Sequence, residues 1–156
     1  MAIFPDKTWV GWAAGILDGE GCISNGRRKL SPIKETYSVN VSVANTDLKM
    51  LHKLKEMFGG VISSHGGRKK KPHYLDAWRW VLQSKRAESF LRQVLPWLVT
   101  KREQAELAIL SRQYLRTYRN DTERLEKQRS IFNELARLKK QQPSASIEQD
   151  MQQVIH

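Results

Sequence analysis

Residues 11–23 have the sequence GWAAGILDGEGCI, in which small and apolar residues lead into two acids set among glycines. At helical spacing Gly11, Ala14 and Gly15 fall on one face, with Asp18 at the end of that stripe. A stripe of small residues lets a second helix approach closely. Since a glycine inside a helix costs about 1 kcal/mol against alanine, two of them here indicate close packing of two helices.

The stripe ends in two carboxylates, Asp18 and Glu20, each followed by a glycine. We expect Gly19 and Gly21 to break the helix and to leave both carboxylates near its end. If two such helices packed face to face, their acids would converge and repel each other unless a cation lay between them. A hard divalent ion with oxygen ligands fits that place, and Mg²⁺ fits best. Such an ion activates water and stabilises the leaving oxygen in phosphodiester hydrolysis.

Outside this stretch, hydrophobic periodicity predicts helices and strands along most of the chain. The first helix is expected over residues 7–17, with Asp6 or Thr8 as its cap, and the basic run 27–35, RRKLSPIKE, is expected to be a loop. The predicted strands are 22–28, 37–44, 61–65 and 74–83, and the further helices are 48–58, 86–95, 101–118 and 122–140. The order α-β-β-α-β-β-α, followed by extra helices, indicates an α+β fold.

The chain has 156 residues, the length of one domain, which we assign to 1–142 with a short tail at 143–156. Lys and Arg number 27 against 16 Asp and Glu, so the net charge of +11 favours a polyanionic partner. We expect no membrane span and no secretory signal, because the apolar runs are short and the N-terminus lacks a basic region before one. The single cysteine, Cys22, excludes an intramolecular disulfide and a cysteine-rich zinc site.

Residues 13–21, AAGILDGEG, resemble the signature of the LAGLIDADG homing endonucleases. They depart from it at Ala13, where the family name has Leu, and at Gly19 and Glu20, which are ordinary family variants. Residues 95–105, LPWLVTKREQA, resemble the family's pattern before its C-terminal helices. The resemblance covers roughly residues 8–118 and implies a four-stranded antiparallel sheet that forms a saddle in the major groove of DNA.

The resemblance implies a site-specific endonuclease that hydrolyses both strands of a long, pseudo-palindromic double-stranded DNA site and leaves short 3′ overhangs. Family members with one motif act as homodimers, so this one-motif chain is expected to pair through its motif helices. The expected cofactor is Mg²⁺, with Mn²⁺ or Ca²⁺ able to replace it in binding, and neither a membrane nor a small-molecule cofactor is expected. The predicted dimer interface consists of Gly11, Ala14, Gly15 and Asp18.

Four residues correspond to catalytic positions of the family. Glu20 matches the metal-binding acid, and Lys101 matches the basic residue near the scissile phosphate. Asn45 matches a polar residue that orders active-site water, and Lys49 is a candidate for a second basic group. The predicted metal ligands are Glu20, Gly19 and Asp18.

Base recognition requires side chains that exchange hydrogen bonds with base edges, and the polar faces of the strands supply them. Over residues 37–44 valines alternate with uncharged polar residues, which is typical of a half-buried strand. The base-reading residues selected by alternation on the first three strands are Ser24, Arg28, Ser38, Asn40, Ser42, Ser63 and His65. The predicted phosphate contacts, which position the protein without reading sequence, are Arg27, Lys29, Arg68, Lys69, Lys70 and Lys71.

The fourth strand has two possible orientations. A strict carry-over of the family's spacing from Pro96 turns Arg79 towards the helices. Burying that charge without a partner would cost several kcal/mol. We therefore expect Arg79 and Gln83 to face DNA, while Trp78 and Trp80 face the helices.

Two other functions stay open for such a chain: an RNA maturase that assists intron splicing, and a DNA-binding regulator that does not cleave. A pure binder has no need of Glu20 and Lys101, and the chain contains both, which favours the endonuclease. The protein is expected to be intracellular, in an organelle, a bacterium or a phage.

Overall fold

The computed structural model describes residues 6–65, 76–117 and 120–141. The elements in these ranges are α1 Lys7–Glu20, β1 Gly21–Ser31, β2 Lys34–Asn45, α2 Leu48–Phe58, β3 Val61–His65, β4 Ala77–Gln83, α3 Ser84–Val94, α4 Arg102–Thr117 and α5 Asp121–Gln141. This order confirms the predicted α+β arrangement with extra C-terminal helices. The start of the predicted fourth strand, at 74–75, and the tail at 143–156 lie outside the described residues.

Helix α1 is three residues longer than predicted, because Gly19 does not break it. The helix begins after Asp6, whose carboxylate accepts a main-chain N–H of the first turn at 3.2 Å. A glycine within a helix costs only about 1 kcal/mol, which is too little to end α1 before Glu20. Gly21 does end it: a Cβ at this position would lie 2.3 Å from the Leu17 side chain, so the chain can turn closely here only at glycine.

The basic run predicted as a loop is instead the far end of a long hairpin. Strands β1 and β2 leave only Pro32 and Ile33 between them. Within the hairpin Lys29 pairs directly with Glu35, and opposite charges on facing residues stabilise a sheet. Pairing with a partner strand therefore outweighs the loop-like composition of this segment.

The four strands form one antiparallel sheet in the order β1-β2-β4-β3. One face packs against the helices and contains the buried side chains of Val41, Trp80 and Leu82. The alternate residues of each strand form the opposite side, which we call the open face. Trp80 is fully buried and Arg79 is exposed, so β4 has the orientation predicted from charge.

The helices form one layer against the face of the sheet that lies opposite the open face. The core joins Leu17 of α1, Phe90 of α3 and Ala105 of α4 to the inward residues of the strands. The indole of Trp80 donates a hydrogen bond to the Gly59 carbonyl at the end of α2, at 2.8 Å. Across the ranges that the structure describes, no helix is both long and apolar enough to cross a membrane.

Helix α5 is anchored to the hairpin at Glu35. Arg129 of α5 donates from Nε to Glu35 Oε1 at 2.9 Å, and the Tyr37 hydroxyl donates to the same oxygen at 3.1 Å. The hydrogen bond from Arg129 is the main reason that the pKa of Glu35 is lowered. Phe132 packs against Tyr37 with ring centroids 5.8 Å apart, so one polar and one aromatic contact hold α5 against the sheet.

Glu88 of α3 is the acceptor for three arginines. Its side chain is 8% exposed and accepts from Arg92 at 3.1 Å, from Arg112 at 3.3 Å and from Arg116 at 2.7 Å. The hydrogen bonds from Arg116, followed by those from Arg92, lower the pKa of Glu88 from 4.5 to about 2, although burial opposes the shift. Because Arg112 and Arg116 belong to α4, this cluster joins two helices of the layer.

We expect Glu88→Gln to lower the free energy of unfolding by about 3 kcal/mol at pH 7, because three guanidinium groups lose their shared anion. The folded-state pKa lies below the unfolded one, so ionised Glu88 stabilises the fold above pH 4.5, and this stabilisation disappears as the pH falls towards 2. Urea unfolding at pH 7 and pH 3 should therefore show a smaller difference between wild type and variant at pH 3. Glu134→Gln, which removes the exposed partner of Arg137, is the control and should change little. An equal difference at both pH values would contradict the ionic role.

Candidate active site and DNA-facing surface

Glu20 and Asn45 meet where α1 and β2 both end. Glu20 is the exposed last residue of α1, and its Oε2 accepts a hydrogen bond from Asn45 Nδ2. The other side-chain atom of Asn45, Oδ1, accepts the main-chain N–H of Asp47 at 2.8 Å. Both ends of the Asn45 amide are thus engaged, so this residue fixes the direction of the Glu20 carboxylate.

Asp18 accepts hydrogen bonds within its own protomer, which gives it a structural role; its roles in metal binding and in the dimer interface stay predictions. Its Oδ2 accepts the Val99 N–H at 2.8 Å. Its Oδ1 accepts the Thr100 hydroxyl and the Lys101 N–H, both at 3.0 Å. These donors immediately precede α4, so Asp18 caps that helix from across the fold.

Lys101 lies beside this cap, at the end of α1. Its ammonium donates to the main-chain oxygen of Asp18 at 2.6 Å, and the residue is 9% exposed. Burial lowers the pKa of Lys101, and the negative charge of Asp18 opposes that shift. The structure therefore places the Lys101 ammonium against the main chain of the motif residue Asp18, although 83 positions of sequence separate the two.

We expect Asp18→Ala to lower the free energy of unfolding by about 2 kcal/mol, because three donors lose their acceptor. Asp47→Ala removes a single helix-capping bond, to the Lys49 N–H at 2.9 Å, and should cost about 1 kcal/mol. Thermal and urea unfolding of both variants measures the difference. A loss at Asp18 no greater than that at Asp47 would contradict the capping role.

The donor atoms at this end of α1 suit a hard cation but form only part of a site. Glu20 offers a carboxylate, and the carbonyl of Gly19 belongs to the last turn, whose oxygens have no partner within the helix. Lys49 is exposed in the first turn of α2. Among the residues that the structure describes, no three His, Cys, Asp or Glu side chains group as a metal site. Of the two motif acids, Glu20 is therefore the exposed one, while Asp18 accepts bonds from its own protomer.

The exposed side of α1 carries Gly15 and Gly19, which we call the glycine stripe. A Cβ placed on either residue would have no heavy atom within 4 Å. Ala14 is fully buried in the core, so it is not available to a partner, contrary to the prediction. Gly11 lies at the margin, where a Cβ would approach Trp97 at 4.0 Å. Small residues occur on both sides of α1, so only the tertiary packing determines which of them are exposed.

The open face carries every base-reading residue that the alternation selected. The register places Asn40 between Ser24 and Gln83 on the neighbouring strands, and Ser63 opposite Arg79. In the described strands no Asp or Glu occupies this face. Such a surface of hydroxyl, amide and guanidinium groups suits a polyanion. The predicted residues found there are Ser24, Arg28, Ser38, Asn40, Ser42, Ser63, His65, Arg79 and Gln83.

Arg27 and Lys29 lie on the helix-facing side of the hairpin, away from the base-reading residues, and their role as phosphate contacts stays a prediction. The Arg27 guanidinium lies over the Phe132 ring, 5.1 Å from its centroid. Lys29 borders, with Arg129, a polar pocket of about 220 Å³. Both belong to the basic run 27–35, and strand alternation turns them away from the open face. The other predicted phosphate contacts, Arg68, Lys69, Lys70 and Lys71, lie outside the described residues.

Two contacts around the site have no signal in the sequence. Thr100 donates its hydroxyl to Asp18, although neither residue type marks such a pairing. Lys139 of α5 donates to Cys22 Sγ at 3.5 Å across 117 positions of sequence. Helix α5 therefore ends beside the start of β1, close to the motif.

No protein-family model matches this chain, and no curated protein matches it either. Solved structures do. The homing endonuclease I-CvuI in complex with its target aligns with a TM-score of 0.70 at 19% identity, over 89% of this chain and 85% of that one. The archaeal intron-encoded homing endonuclease I-Vdi141I, complexed with DNA, aligns with a TM-score of 0.68 at 16% identity, over 86% of each chain.

A third structure is longer than this protein. The LAGLIDADG homing endonuclease I-SmaMI, bound to cleaved DNA, aligns with a TM-score of 0.62 at 16% identity. The alignment covers 82% of this chain but 43% of I-SmaMI. At these identities the likeness concerns the backbone architecture, which agrees with the element order and the antiparallel sheet. This chain therefore has the fold of the LAGLIDADG homing endonucleases.

Proposed function

We propose that this protein is a homodimeric, metal-dependent endonuclease that cleaves both strands of a long, pseudo-palindromic DNA site and leaves short 3′ overhangs. The observation that carries the proposal is the position of Glu20. Its exposed carboxylate ends the same helix that bears the glycine stripe, with the Lys101 ammonium held at the same helix end. One helix thus offers both a surface for pairing and an acid for catalysis.

Pairing through α1 is supported by the bare glycine stripe and by the length of one matched structure. Exposed glycines let two helices approach closely. The aligned 82% of this chain covers 43% of I-SmaMI, so two copies together have about its length. In such a pair the two Glu20 carboxylates would converge, and each copy would complete the partial donor set of the other.

Each residue of the site has a separate role in the proposal. Glu20 from each copy, with the Gly19 carbonyl, would hold a divalent cation, and their oxygen donors suit Mg²⁺. When bound, such an ion lowers the pKa of its water and stabilises the leaving oxygen. Asn45 orients the Glu20 carboxylate through its hydrogen bond. Lys101, restrained by the Asp18 carbonyl, stabilises negative charge on the scissile phosphate.

Double-stranded DNA is the partner that the charge and the open face favour. The net charge is +11, and the described strands place no acid on that face. Hydroxyl, amide and guanidinium groups there are able to exchange hydrogen bonds with base edges in the major groove. I-CvuI and I-Vdi141I, which have this fold, were solved in complex with DNA.

Selection of cleaved sites from a random DNA pool with Mg²⁺ tests the proposal. We expect one long site with two-fold symmetric halves, cut on both strands with 3′ overhangs. Binding without cleavage would indicate the regulator, and stimulated RNA splicing without DNA cleavage would indicate the maturase. Cleavage at sites without any symmetry would contradict the homodimer.

A further inference from the structure

Two valines form an apolar patch on the open face of the sheet. Val61 of β3 and Val81 of β4 are directly paired in the sheet register, and Val61 is 64% exposed. We call them the valine pair. They line an open cavity of about 430 Å³ together with Ser63, Gln83 and Arg86. Folding leaves the Val61 side chain in water, so this side chain contributes little to the stability of the protein. It becomes buried, and contributes to binding, when a partner covers it.

The residues that line the cavity indicate which chemical group of a partner would contact the valine pair. The cavity combines an apolar floor with polar and cationic neighbours, and no acid lies among its lining residues. Of the groups that base pairs present in the major groove, the C5-methyl of thymine is the apolar one. Resting on the proposed function, we propose that the valine pair contacts the methyl group of one thymine in each half-site.

The register also indicates where in the half-site this thymine lies. Val81 pairs with Ser42, and Ser42 pairs with Cys22. Cys22 follows Glu20 by two residues, so this row crosses the sheet at its catalytic end, far from the turn of the β1–β2 hairpin. The contacted thymine therefore belongs to the inner part of the half-site, near the scissile phosphates.

Replacement of thymine by deoxyuridine tests the contact, because it removes only the methyl group and keeps every hydrogen-bonding atom. In the selected target, the thymines of one half-site are replaced, one position at a time, and the affinity is measured in Ca²⁺. For the wild-type protein we expect about fourfold weaker binding at one inner position, the value of one buried methyl group. In Val61→Ala, and in the Val61→Ala/Val81→Ala double variant, thymine and deoxyuridine should bind nearly equally at that position.

For each protein variant, the affinity for thymine DNA is divided by the affinity for deoxyuridine DNA. A general loss of binding lowers both affinities equally, so it leaves this ratio unchanged. Leu115→Ala, which truncates an aliphatic residue of α4 that is 38% exposed, should keep the fourfold ratio. An active enzyme with no deoxyuridine-sensitive inner position, or with a ratio unchanged by Val61→Ala, would overturn the methyl contact alone. A protein that binds no DNA would overturn both this inference and the proposed function.

Discussion

Glu20→Gln is expected to lower the rate of DNA cleavage by about 1,000-fold or more and to change DNA affinity by less than about threefold. The amide keeps the size of the carboxylate and its ability to accept from Asn45, so the end of α1 should keep its geometry. It loses the negative charge that a divalent cation requires. Single-turnover cleavage in Mg²⁺ and equilibrium binding in Ca²⁺ separate the two effects.

Glu56→Gln is the matched control for this substitution. Glu56 lies on α2 with its side chain 70% exposed and has Lys53 at 3.5 Å. The same change of charge there should leave both cleavage and binding within about twofold, because exposed ion pairs contribute little. If Glu20→Gln weakened binding as much as cleavage, or if it retained activity, the metal-binding role of Glu20 would be wrong.

Gly15→Leu is expected to weaken dimerisation by about 100-fold or more and to abolish cleavage at working concentrations, because two leucines would overfill a helix contact built for glycine. The isolated protomer should tolerate the change, since no atom lies within 4 Å of a Cβ at this position. Leucine also favours a helix by up to about 1 kcal/mol over glycine. The variant should therefore be a monomer that is at least as stable as one wild-type protomer, and inactive.

Sedimentation or light scattering gives the oligomeric state, and thermal unfolding gives the stability. Ala136→Leu places the same side chain on an exposed helical position of α5 and should leave dimerisation and cleavage unchanged. A dimeric, active Gly15→Leu protein would place the subunit contact elsewhere on the surface. A misfolded variant would contradict the open space found around Gly15.

Strand alternation could be predicted from sequence because it is a local property. The valines of β2 and the uncharged polar residues between them fix its two faces without reference to any other element. For β4 the cost of burying Arg79 was sufficient to choose the orientation that the structure has. The end of the hairpin could not be predicted in this way. The local sequence around Lys29 is typical of a loop, and its pairing with Glu35 is a contact between two strands.

Features that depend on tertiary packing could not be obtained from periodicity. Ala14 and Gly19 are both small, yet one is in the core and the other is exposed, because the packing of α1 against its neighbours decides which face is covered. Asp18 looks like a second metal ligand in the motif. Its hydrogen bonds with Thr100 and Lys101 join residues that are far apart in the sequence, so the motif alone does not indicate them.

The location of Glu20 and the glycine stripe on one helix has a consequence for the cell in which the protein is made. If α1 pairs as proposed, a lone polypeptide carries half of a cutting centre and is harmless to chromosomes. Strand breakage would then begin only when newly made copies meet, and at high dilution the reaction velocity would rise with the square of the protein concentration. A low concentration of the protein would therefore be enough to limit DNA cleavage, without any separate inhibitor.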